Sequence, residues 1–150
     1  MRYAICALFL FASCSLMRSA VDRPGLVEAT NSVWHDAYKR SDSSPAVHVV
    51  TTLDCTSDVN GLPGFWCPTV GCRQGCTFDP WSVNVATADA WSKSTLAHEM
   101  MHVLKMRKAI EAHTPEATIQ FVGDRYHSDP EWQVGSDVDL ANAMLSERGL

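Results

Sequence analysis

The segment LAHEMMHVL, residues 96–104, places two histidines four positions apart, with a glutamate directly after the first. Residues four apart on an α-helix share one face, so His98 and His102 can direct imidazole nitrogens at one ion. Glu99 lies about 100° around the helix from His98, within reach of a water molecule on that ion. Zinc activates such a water, and a carboxylate can accept its proton, so this pattern predicts metal-assisted hydrolysis.

The alternative interpretation of this segment is an ordinary helix whose histidines are hydrogen-bonded in the core or simply exposed to solvent. The context favours a metal site. Apolar residues surround the histidine pair and would bury and anchor it, and a strand and a short loop are predicted just before the helix. These apolar neighbours are Leu96, Met100, Val103 and Leu104.

Hydrophobic spacing indicates the elements that must hold this helix in place. Helical spacing predicts a first helix, and β-branched, partly alternating stretches predict two strands on either side of a Cys- and Gly-rich loop or hairpin. Ser92 or Ser94 can cap the H-E-x-x-H helix, and Thr114-Pro115 ends it and can begin another. The predicted elements are helix 26–40, strand 46–53, loop 54–80, strand 81–88, the metal-site helix to His113, and a C-terminal helix over 136–148.

The N-terminus has the features of an export signal. Arg2 precedes an apolar run over residues 3–12 that is too short to span a bilayer. The end of this run, in the segment LFASC at residues 10–14, resembles the lipobox of bacterial lipoproteins, which implies lipidation of Cys14, although Phe11 stands where those proteins usually have leucine. Cleavage near Ser15 or Ala20 with free secretion, or an uncleaved anchor, are the alternatives. We expect a signal at 1–14, a tether at 15–25 and one domain at 26–150.

Cysteine usage agrees with export. Beyond the signal, four cysteines remain, an even number that predicts two disulfides in an oxidising compartment. The sequence leaves all three pairings open, and a structural four-cysteine zinc site is the competing interpretation, with spacings that depart from paired C-x-x-C. The four residues are Cys55, Cys67, Cys72 and Cys76.

Composition predicts a packed globular chain. Of the 150 residues, 46% are hydrophobic and 19% are charged, and the formal net charge is −5, so nothing indicates nucleic-acid binding. The cationic cluster Lys105, Arg107 and Lys108 is interpreted as a solvated helix face. We expect a monomer.

Together these features resemble the zincin metallopeptidases, because the order helix, strand, Cys-rich loop, strand and H-E-x-x-H helix is similar to their N-terminal half. The resemblance implies a compact α+β domain with a small mixed sheet, a backing helix and a disulfide-stapled loop. It also implies that His98 and His102 bind Zn²⁺ and that Glu99 is the general base. Strand 82–88 would then be the edge strand along which an extended peptide substrate pairs.

The third zinc ligand has several candidates. The metzincin continuation fails because Lys105 and Lys108 occupy its glycine and histidine positions. His127, in DRYHSDPEW, resembles the third histidine of SprT-like and matrixin-type zincins and is preferred. Tyr126 beside it could stabilise the oxyanion, or be an ordinary half-buried aromatic. The other candidate ligands are His113, Glu131, Asp129, Asp137, Asp139 and Asp124.

The resulting prediction is an exported zinc metalloendopeptidase acting on a peptide or protein substrate. A zinc amidase acting on cell-wall material is one alternative. A binding or structural lipoprotein without catalytic activity is the other. Met144 is interpreted as core packing in the C-terminal helix, in preference to a metzincin-type methionine beneath the metal.

Overall fold

Three helices and two three-stranded sheets make up the part of the chain that the computed structural model describes: residues 25–57, 61–68, 70–87, 93–115 and 137–149. This α+β architecture, with its two disulfides, confirms the predicted fold class. The helices are α1 (Leu26–Ser32, continuing as a π-helical turn over Val33–Ala37), α2 (Lys93–Glu111) and α3 (Asp137–Glu147). The strands are β1 (Ala46–Val50), β2 (Cys55–Thr56), β3 (Pro63–Cys67), β4 (Gly71–Arg73), β5 (Gly75–Asp79) and β6 (Ser82–Ala86).

The larger sheet has the strand order β1-β6-β5, which corrects the expectation that the strand at 82–88 is an edge strand. β6 pairs with β1 in parallel on one side and with β5 in antiparallel on the other. All five of its residues are buried. The sequence could not reveal this, because strands with both faces covered need not alternate clearly and their pairing partners are distant in the chain. Within the described residues, β5 is therefore the edge strand on this side.

The cysteine-rich segment forms a second small sheet, β2-β3-β4, where an irregular loop or hairpin was expected. Both predicted disulfides are present, with the pairing Cys55–Cys72 and Cys67–Cys76. The first bridge links β2 to β4 within this sheet. The second joins β3 to β5 and thereby ties the small sheet to the edge of the larger one. These bridges exclude the four-cysteine zinc site.

Helix α2 lies against β5 and β6 of the larger sheet and against α3. Its apolar residues Leu96, Met100 and Val103 are fully buried, as the context around the histidine pair predicts. The first helix contributes Trp34 to the same core, and the hydroxyl of Tyr38 donates a hydrogen bond of 2.8 Å to the backbone carbonyl of Ala97. The helix that carries His98 is thus fixed directly before that residue.

The C-terminal helix α3 completes the core. Its buried residues Ala141 and Leu145 pack against α2 and the first helix, and Met144 is half-buried at the margin of the same cluster, which confirms the prediction of core packing. No helix within the described ranges combines the length and the apolar character needed to cross a bilayer.

The cationic residues of α2 correct a second expectation. Lys108 is exposed and Lys105 is half-buried, but Arg107 is buried, with only 3% of its surface accessible. Its guanidinium donates to the backbone carbonyl of Pro80 at 2.6 Å and to the carboxylate of Asp42 at 2.5 Å. The cluster is therefore no uniform solvated face, because one of its three cations is a structural element of the interior.

Candidate metal centre

The two histidines of the H-E-x-x-H segment point their Nε2 atoms at the same place. The Nε2 atoms of His98 and His102 are 3.1 Å apart, and the two rings meet at 80° with their centroids separated by 4.7 Å. His102 is buried, and His98 is half-buried. A straight helical turn produces this convergence, as the spacing of four residues predicts.

This separation fits two imidazole ligands of a single zinc ion. Tetrahedral ligands with zinc–nitrogen distances of about 2.0–2.1 Å stand about 3.3 Å from each other. The oxygen that Glu99 offers completes a cluster in which the ligand atoms all lie within 4.8 Å of one another. Among the described residues, His98, Glu99 and His102 form the one group of three side chains able to hold a metal ion.

The Glu99 carboxylate is buried, with 7% of the residue accessible, and it lies against strand β5. The hydroxyl of Thr77 donates a hydrogen bond of 2.7 Å to Oε2 of Glu99. On the same strand, Gly75 lies so close to Glu99 that a methyl group at position 75 would stand 2.7 Å from Cγ and Oε1. Strand β5 therefore determines where this carboxylate can lie.

Several residues predicted for the site lie outside the described part of the chain. These are the predicted third ligand His127, the predicted oxyanion residue Tyr126, and the alternatives Asp124, Asp129 and Glu131. The backbone of Asp137 begins α3, but its side chain is not described. For all of them the sequence prediction stands untested.

Two other candidate ligands are placed by the structure, and neither belongs to the cluster. His113 follows the end of α2, is exposed, and has a positive φ of 56°. A helix rise of 1.5 Å per residue carries it about 16 Å beyond His102, which agrees with its absence from the cluster. Asp139 lies on the exposed side of α3.

Thr77, Gly75 and Tyr38 contact the H-E-x-x-H helix, and none of them was predicted to lie at the site. A threonine and a glycine in a cysteine-rich segment carry no pattern that links them to a helix some twenty residues later. Tyr38 lies near the end of the predicted first helix and contributes to its apolar spacing, so the spacing predicts only a core residue. Only the tertiary contact reveals these three roles.

In comparisons with known proteins, no family model, no curated protein and no solved structure matches the chain. The predicted resemblance to zincins therefore stays a prediction, and the structure itself shows two features. One is the H-E-x-x-H helix, and the other is its position beside a small mixed sheet.

Proposed function

We propose that this protein is a zinc-dependent hydrolase, a metalloendopeptidase in which Glu99 is the general base. The observation that carries the proposal is the convergence of the His98 and His102 Nε2 atoms, 3.1 Å apart, beside the buried carboxylate of Glu99. We further propose His127 as the third protein ligand and Tyr126 as a donor to the oxyanion, on the resemblance of their segment to zincins.

Glu99 acts as a base in this proposal, and does not bind the metal. Zinc held by the two histidines would supply Lewis-acid activation of a water molecule and of the scissile carbonyl. The Glu99 carboxylate accepts the proton of the attacking water and then delivers it to the departing amine nitrogen. A carboxylate has about four lone-pair positions, so accepting the hydrogen bond of Thr77 leaves it the capacity to accept this proton.

The substrate peptide is proposed to lie along β5, in place of the strand at 82–88 that the sequence suggested. The backbone groups of β6 are engaged by neighbours on both sides, whereas β5 is at the edge of the described sheet. β5 also carries Thr77, which contacts Glu99. An extended peptide that adds to this edge by backbone hydrogen bonds would pass beside the proposed base.

The proposed location is outside the cytoplasm. Two disulfides indicate an oxidising environment. The signal at 1–14, the lipid anchor at Cys14 and the tether at 15–25 lie outside the described residues, and we propose them on the N-terminal sequence alone.

The decisive experiment compares wild type with Glu99→Gln and with the control Glu147→Gln, whose side chain is exposed on α3. Wild type and both variants should bind one zinc ion, measured by elemental analysis after dialysis. Wild type and Glu147→Gln should cleave a library of internally quenched peptides, and Glu99→Gln should lose this activity by at least about a thousandfold, as expected for loss of the base and of its charge.

Each other outcome has a distinct meaning. Wild type without stoichiometric zinc would refute the hydrolase, and loss of zinc in Glu99→Gln would make Glu99 a ligand. Full activity of Glu99→Gln would exclude it as the base. Cleavage of purified peptidoglycan in place of the peptides would establish the amidase alternative. Zinc binding with no hydrolysis, together with unfolding of His98→Ala, would indicate a structural metal.

A further inference from the structure

Strand β5 meets the proposed base through two residues that the H-E-x-x-H pattern does not specify. The Oγ1 atom of Thr77 lies 2.7 Å from Oε2 of Glu99 and 3.2 Å from the backbone oxygen of Glu99. A hydroxyl has one proton to donate, and hydrogen bonds to ionised acceptors are shorter and about twice as strong as neutral ones. The shorter bond to the carboxylate is therefore the dominant one.

Gly75 contributes because it has no side chain, which leaves space for the Glu99 carboxylate. A Cβ atom at this position would lie 2.7 Å from Cγ and Oε1 of Glu99 and 2.7 Å from Cγ2 of Thr95. All of these distances are shorter than a van der Waals contact between heavy atoms. Any side chain at position 75 must therefore displace the Glu99 carboxylate or push the strand away from α2.

The strand is also held by contacts with other strands. Cys76 lies between Gly75 and Thr77 in β5. Cys76 forms the disulfide with Cys67, and its backbone carbonyl accepts a hydrogen bond of 3.2 Å from the side chain of Asn84. The segment 75–77 is thus tied to β3 of the smaller sheet by a disulfide and to its sheet neighbour β6 by a side-chain hydrogen bond, and both links limit its movement away from α2.

We propose that Gly75 and Thr77 are positioning residues that hold the Glu99 carboxylate beside the histidine pair in the orientation required of a general base. This inference rests on the proposed function. Glu99 follows the ligand His98 directly, so a carboxylate released from β5 can rotate into other orientations, including one that competes for the metal. The hydrogen bond and the empty space at position 75 select one orientation.

The first test compares Thr77→Val, which keeps the shape and removes the hydroxyl, with Thr77→Ser, which keeps the hydroxyl. The zinc-loaded Thr77→Val variant should lose about 10- to 100-fold in kcat, with KM and zinc affinity within about threefold of wild type. Thr77→Ser should stay within about threefold in all three quantities. The control Thr56→Val replaces an exposed threonine of β2 and should change none of them.

The second test uses Gly75→Ala in crystals of the metal-free protein. The Glu99 carboxylate should be displaced by about 1 Å or more from its position in wild type, because the new methyl group overlaps with it. The zinc-loaded variant should lose at least about 100-fold in kcat while it still binds one zinc ion. An undisplaced carboxylate with full activity would refute the role of Gly75.

The third test needs no activity at all. A double-mutant cycle of Thr77→Val and Glu99→Ala in the metal-free protein should show coupling of about tenfold or more in the unfolding equilibrium constant. Coupling below about twofold would refute the contact. Active wild type with equally active Thr77→Val would overturn the positioning role and leave the proposed function intact, whereas inactive wild type would overturn the proposed function and the positioning role together.

Discussion

Helix α2 buries polar side chains at two places, around Glu99 and around Arg107, about 12 Å apart along the helix axis. The two places differ in the chemistry of the groups that meet there. Around Arg107, a cation meets a carboxylate and backbone carbonyls, so the partners neutralise each other. Around Glu99, two imidazole nitrogens and a carboxylate oxygen converge, and all three are electron-pair donors of the kind that bind a cation.

The Arg107 region connects parts of the chain that are distant in sequence. Its guanidinium donates to Asp42 and to the carbonyl of Ser43, each at 2.5 Å, and it lies 4.8 Å and 4.7 Å from the ring centres of Trp34 and Trp81. Such an arrangement satisfies the charge and covers it with aromatic surface. These are the properties of a structural ion pair.

The partners of a buried polar group therefore distinguish a structural role from a binding role. Complementary partners around a buried charge stabilise the fold without needing anything more. A cluster of electron-pair donors that gathers around a common point can hold a cation. Substitutions in the two regions should therefore have opposite consequences for stability and for metal binding.

The largest effect on stability is expected for Arg107→Met. This variant keeps the aliphatic volume but removes the donor to the carbonyls of Ser43 and Pro80 and leaves Asp42 with Arg40 alone, and losing the hydrogen bonds of a charged group costs about 1.5–3 kcal/mol. Urea denaturation should show this loss in the free energy of unfolding, while zinc stoichiometry at low temperature remains one. The exposed Lys108→Met should change stability by less than about 0.5 kcal/mol. Equal stability of both variants would contradict the structural role of Arg107.

The next largest effect is expected on zinc affinity, which should distinguish His102 from His113. His102→Ala should weaken zinc binding by at least about 100-fold, or about 2.7 kcal/mol, because it removes a ligand. Competition with a chromogenic chelator measures this affinity. His113→Ala is the matched control on the same chain segment and should bind zinc as wild type does. If His113→Ala also loses zinc, the assignment of the ligands to one helical turn is wrong.

The same titration tests the predicted third ligand. His127→Ala should weaken zinc binding about as much as His102→Ala. Normal zinc binding by His127→Ala, together with loss in Glu131→Ala, would transfer the role to the carboxylate. These affinity measurements test zinc binding and the identity of the ligands without any substrate.

The smallest effect is expected on the stability of the protein at low pH. Hydrogen bonds from Arg40, and then from Arg107, hold the pKa of the Asp42 carboxyl well below its usual range. A depressed carboxyl pKa contributes stability above the unfolded-state value of about 3.9 and loses it as the pH falls towards the folded-state value. Asp42→Asn should cost on the order of 1 kcal/mol at pH 7, since Asp42 is partly exposed and solvent screens it.

Chemical denaturation from pH 7 to pH 2 would check this prediction. Wild type should lose the extra stability below about pH 4, so that the difference between wild type and Asp42→Asn shrinks as the pH falls. The exposed Asp36→Asn serves as the control. A difference that grows towards low pH would show that the ion pair is not its source.

Local patterns sufficed to predict much of this fold. All three described helices were predicted, although the first widens into a π-helical turn and ends at Ala37, and α2 ends at Glu111. The strands at 46–53 and 81–88 are present but shorter, as Ala46–Val50 and Ser82–Ala86. H-E-x-x-H correctly places His98 and His102 on one helix face, because that geometry depends only on the helix.

Apart from the lengths of these elements, the errors concern contacts between distant segments. The strands of the cysteine-rich segment are two to five residues long and contain glycine and proline, so they lack a strand pattern and depend on disulfides and pairing. The central place of β6 depends on its partners β1 and β5. Arg107 looked like one cation in a basic run because only the folded chain brings Asp42 and Pro80 to it.

The parallel pairing of β1 with β6 has a consequence for how the chain folds. Ala46 meets Ser82 only after the whole cysteine-rich segment has looped out, and closing such a loop slows folding because its entropy is lost before any contact forms. The bridge Cys55–Cys72, which spans 17 residues, shortens this loop once it is oxidised. Since α2 packs on β5 and β6, we expect the reduced chain to assemble the support of the histidine pair more slowly than the oxidised chain.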